Sequence, residues 1–60
     1  SGIAARANIG VCHQKLGEWQ RAVDVFDAIL SAAQADSSLL APNIRAFVER
    51  RRATIARKHL

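Results

Sequence analysis

Cys12 with His13, the run Arg50-Arg51-Arg52 and a second histidine at position 59 are the residues of this chain whose types could do chemistry. A thiol beside an imidazole could serve as nucleophile and base, or give two ligands to a metal ion. On a helix, however, adjacent side chains point about 100° apart, and neither an orienting carboxylate nor a further ligand pair accompanies these two. The sequence is therefore read as non-enzymatic, with no catalytic residue, no metal and no cofactor. Cys12 reads as a small buried packing residue, and His59, near the chain end, as a solvated one. The arginines could hold phosphate through point charges and bidentate contacts. Three consecutive residues sweep about 200° around a helix, so they cannot share one stripe. Arg51 is expected beside the apolar seam with its stem packed. Arg45, Arg50, Arg52, Arg57 and Lys58 are the basic-face candidates for nucleic acid or an anionic membrane surface, with no interleaved aromatic residue to stack on bases.

Charge follows the same division. Up to Ala41, Arg6, Lys15 and Arg21 stand against Glu18, Asp24, Asp27 and Asp36; from Pro42 onward, six cations stand against Glu49 alone. Sixty residues allow one small domain, spanning 1–60, which buries only about 60% of the surface its unfolded chain exposes. Half the residues are apolar, but many are alanines, so the expected core is thin and helped by something outside it. A single cysteine allows no internal disulfide, and no apolar run approaches the roughly 18 residues a membrane helix needs. An intracellular, cytoplasmic location is the expectation. Lys58-His59-Leu60 only faintly resembles the serine-lysine-leucine peroxisomal address. Ser1-Gly2, directly ahead of a helical pattern, reads as the scar of an excised segment.

Three helices must position these groups, and the fold class read from the sequence is all-α, with no strand signal. The first is expected from about Ile3 to Leu16, with Ala5, Ile9, Cys12 and Leu16 on its apolar face. Gly17 ends it, and Glu18 brings negative charge to the start of the next. The second, about Glu18 to Ala33, carries an unbroken stripe of Trp19, Ala22, Val23, Phe26, Ile29, Leu30 and Ala33, with Gln20, Arg21, Asp24 and Asp27 toward water. A polar connector follows, in which Asp36, Ser37 or Ser38 could cap a third helix. Pro42 belongs in that helix's first turn, so regular helix is expected from about Leu39 or Pro42 to Lys58, within a basic C-terminal helix over 39–59. Leu40, Ile44, Phe47, Val48 and Ile55 form its inner face, interrupted by Arg51.

Residues 3–36 resemble one tetratricopeptide repeat, a unit of about 34 residues made of two antiparallel helices. Ile9 stands at the family's large aliphatic position, Gly10 at the small position of close approach, and His13 where tyrosine is usual. Gly17 is the inter-helix turn, Trp19 the aromatic after it, Ala22 the small residue taken to face Gly10, and Phe26 the aromatic of the second helix. Arg6, Ile29 and Gln34 depart from the pattern, where tryptophan, a small residue and proline are common. The third helix matches a further repeat poorly and resembles a C-terminal capping helix.

The resemblance implies a TPR-like antiparallel hairpin plus a third helix, acting as a protein–protein interaction scaffold or adaptor at the end of a helical array. It places the partner groove on Ala4, Ala7, Asn8, Val11, Gln14 and Lys15 of the first helix. Capture of a terminal carboxylate is not expected there, because Asn8 alone is suited to it. The structure is expected to rest on Trp19, Phe26, Ile29 and Phe47. A single hairpin leaves apolar area uncovered, so self-association or docking on adjacent repeats is also expected.

Overall fold

Gly17, at φ 77°, is where the chain first reverses. The computed structural model describes residues 2–60, so Ser1, the start of the expected scar, lies outside the described residues. Helix α1 spans Ile3–Lys15 and α2 spans Trp19–Ala35. Between them the Gly17 amide donates to the Gln14 carbonyl at 3.1 Å and the Glu18 amide to the His13 carbonyl at 2.9 Å. The second of these bonds needs a left-handed residue at position 17, which glycine adopts without a Cβ penalty. A hydrophobic contact often accompanies this turn; here His13 Nδ1 lies 2.6 Å from Glu18 Oε1 at the equivalent positions. Glu18 therefore binds back to α1 and makes no side-chain cap for α2.

Past α2 the chain takes one 3₁₀ turn, Ser37–Leu39, and enters α3, Pro42–His59. Of the two starts expected for the third helix, Leu39 and Pro42, the structure takes Pro42, and Asp36 caps the short turn before it. Its carboxylate accepts from the Ser38 hydroxyl at 2.7 Å and the Ser38 amide at 3.0 Å. Those two bonds, the hydroxyl first, hold the Asp36 carboxyl below its ordinary value of 3.8. Ala41, the residue before proline, is extended at φ −62° and ψ 146°, as the Pro42 ring demands. Leu40, also extended, is driven into the core at the junction.

Helix α2 lies between the other two and supplies most of the core. Ala22, Val23, Phe26, Ile29 and Ala33 are buried along it, joined by Ala7, Leu40, Val48 and Ile55. The expected α2 stripe is thus the observed one, with Trp19 and Leu30 packed at its edges. Among the described residues the architecture is an α-helical hairpin with a third helix against it and no strand.

The expected face of α1 is the wrong one. Ile9 is 52% and Leu16 73% exposed, and Ala5 and Cys12 also face solvent. What α1 buries is Ala7 and Gly10, with Ile3 and Val11 packed against the core. The cause is the contact at Gly10: a Cβ there would stand 2.6 Å from Cε1 and 2.9 Å from Cζ of Phe26. The glycine thus admits the Phe26 ring. Close packing of a ring against bare backbone fixes the rotation of α1 and turns its larger apolar side chains outward.

Candidate functional site

Phe47, assigned from the sequence to the supporting core, is 39% exposed and sits on the face shared by α1 and α3. Two open depressions meet at it. One, of about 340 Å³, lies between the N-terminal halves of the two helices and is lined by Ala4, Ala7, Asn8, Asn43, Ile44 and Phe47. The other, of about 310 Å³, is lined by Gln14, Phe47, Arg50, Arg51 and Thr54. The first therefore offers an apolar floor between two carboxamides, and the second is basic.

This face contains much of the partner surface expected on α1. Ala4, Asn8 and Gln14 border the depressions, Ala7 is buried at the floor, and Val11 packs inward. Lys15 is exposed but borders neither depression. The opposite wall, Asn43, Ile44, Phe47 and Thr54, is not among the expected site residues, Ile44 and Phe47 being expected on the inner face of the third helix. Its signal was present in the pairing of small residues on α1 with an aromatic on α3, since alanine leaves a recess beside a ring.

Arg51 ties the two walls together. Its guanidinium donates to Gln14 Oε1 at 3.0 Å and lies 5.1 Å from the Phe47 ring centroid, a cation–π geometry. The expected packing of Arg51 at the seam is thus observed, with a hydrogen bond to α1 in addition. Arg52 Nε donates to Asp27 Oδ1 at 2.5 Å on the other side of α3, and this partner raises its already high pKa. Arg45 turns into a third depression, of about 400 Å³ between α2 and α3, beside Asp27 and Glu49. The basic-face candidates are accordingly dispersed: Arg52 is paired, Arg45 is flanked by acids, and Arg50, Arg57 and Lys58 remain exposed.

Protein-family models, curated proteins and solved structures were compared with this chain. None matches. The site therefore rests on the residues alone, and the two adjacent groups first considered for chemistry have different surroundings. His13 is engaged with Glu18, while Cys12 is exposed rather than buried as expected, because the outward rotation of α1 carries it to solvent. Among the described residues no three metal-ligating side chains come together, and no helix is long and apolar enough to cross a membrane.

His59, expected to be solvated, stacks on Trp19 with centroids 3.7 Å apart and planes inclined by 5°. The last turn of α3 is thereby clasped to the first turn of α2. Stacked aromatic pairs contribute about 0.5–1.5 kcal/mol beyond area burial. His59→Ala should therefore lower stability by no more than about 1.5 kcal/mol and shift Trp19 emission to longer wavelength as the indole gains water. An unchanged emission maximum would contradict the stack.

Proposed function

We propose that this chain is a non-enzymatic protein-interaction module, a tetratricopeptide-like hairpin closed by a basic helix, which presents the α1/α3 face to a protein segment. The observation that carries the reading is Phe47: a large ring left partly open between small side chains is an anchor for an apolar residue of a partner. Asn8 and Asn43 flank that anchor with donors and acceptors suited to an extended backbone, and Arg50 offers a charge contact beyond it. Helices held by a common core present such a face at low ordering cost. The reading includes docking of a further helical element on apolar surface that the three helices leave uncovered.

Nucleic-acid or membrane binding through the last helix is the alternative outcome, and the engagement of Arg52 and the surroundings of Arg45 argue against it. The test is a displayed library of random peptides selected on the folded chain, followed by titration of an enriched peptide and of an unrelated duplex. Selected peptides should shift the amide resonances of Asn8, Asn43 and Phe47 and lose about tenfold or more in affinity with Phe47→Asp. Failure to select any peptide, together with tight duplex binding that falls steeply with salt and needs Arg50 and Arg57, would replace the interaction reading.

A further inference from the structure

The outward face of α1 has the spacing of a coiled-coil seam. Ala5, Ile9 and Cys12 of α1 and Leu16 at its C-cap recur at alternating intervals of four and three, and all four are exposed, Ile9 by 52% and Leu16 by 73%. The residues that α1 buries in its own fold, Ala7 and Gly10, occupy the opposite side of the helix. One helix thus serves the intramolecular core with one face and leaves a second apolar face without a partner.

Charge decides what fits it. In a seam of this kind the flanking positions pair across the interface and select the partner. Here they are Arg6 and His13 along one edge and Asn8 and Lys15 along the other, and α1 contains no carboxylate. His13 is already engaged by Glu18, leaving Arg6 and Lys15 as the exposed cations beside the seam. A second copy applied through the same face would bring Arg6 and Lys15 of both copies onto one seam, where the one nearby carboxylate, Glu18, is already held by His13. We propose that the occupant is instead an amphipathic helix with an aliphatic seam and Glu or Asp at its flanking positions. This rests on the interaction-module reading but names a surface separate from the Phe47 face.

The probe is a fluorescein-labelled synthetic peptide of three heptads with leucine at the seam and glutamate at the flanks, compared with the same peptide carrying lysine at the flanks. Anisotropy titrations should show saturable binding of the glutamate peptide and binding about tenfold or more weaker for the lysine peptide. Ile9→Glu with Leu16→Glu should remove the binding, with helical circular dichroism and melting unchanged because both side chains are exposed. Phe47→Asp should leave it intact, which separates failure here from failure of the α1/α3 face. Equal binding of the two peptides, no binding of either, or indifference to the double substitution overturns the proposal. A dimer seen by sedimentation and lost in the double variant also overturns it, by assigning the seam to a second copy.

Discussion

Gly10→Val should destabilise the chain by about 1–3 kcal/mol, the usual cost of forcing extra atoms into a filled core. At about 0.05–0.15 kcal/mol per residue, sixty residues hold only about 3–9 kcal/mol in all, so the loss is severe. The reason is specific: the space a Cβ would need is occupied by the edge of the fully buried Phe26 ring. Phe26→Leu should cost about 0.5–3 kcal/mol alone. In that background the Gly10→Val penalty should shrink, giving a coupling of about 0.5–3 kcal/mol. Urea midpoints for the four chains provide the measurement. Additive losses would mean that Gly10 and Phe26 do not touch.

Ile55→Ala should cost about 2–5 kcal/mol, because Ile55 is fully buried and its removal leaves a cavity the neighbouring helices fill only in part. The control is Leu16→Ala, the loss of an aliphatic side chain of similar size that stands 73% exposed, for which a change within about 0.5 kcal/mol is expected. A reading from apolar pattern alone makes Leu16 a core residue and gives both changes comparable effects. Thermal melts of the two variants distinguish these accounts.

The contrast between Leu16 and Ile55 shows where the sequence is legible. Helix α2 could be read almost completely, because its apolar residues make one stripe and its outer face is polar. Gly17 and Pro42 were equally plain, since a left-handed turn and a first helical turn each suit one residue type. Helix α1 has apolar residues on two faces, and periodicity cannot say which of them turns inward. That choice is made by a tertiary contact, the Phe26 ring on Gly10, whose partners are sixteen residues apart.

The site was legible by halves for the same reason. The α1 wall could be placed from the resemblance of 3–36 to a helical repeat, and Ala4, Asn8 and Gln14 do border the shared face. The α3 wall depends on how far α3 stands from α1, which no local pattern encodes. Phe47 lies on the apolar side of α3 and so reads as core; only the small residues opposite it leave the ring partly open. His59 likewise has no local signal, since its stack with Trp19 exists only once α3 has crossed back to the start of α2.

Helix α3 is an integral part of one core, and the Phe47 face exists only while α3 is held against α1 and α2. Native-state hydrogen exchange tests this most directly. Under conditions where closing outpaces exchange, the slowest amides around Val48 and Ile55 in α3 should open with the same free energy as those around Phe26 in α2, in one cooperative step. If the α3 amides instead open at a markedly lower free energy while α1 and α2 stay protected, the hairpin stands without α3 and the Phe47 face is not built into the fold.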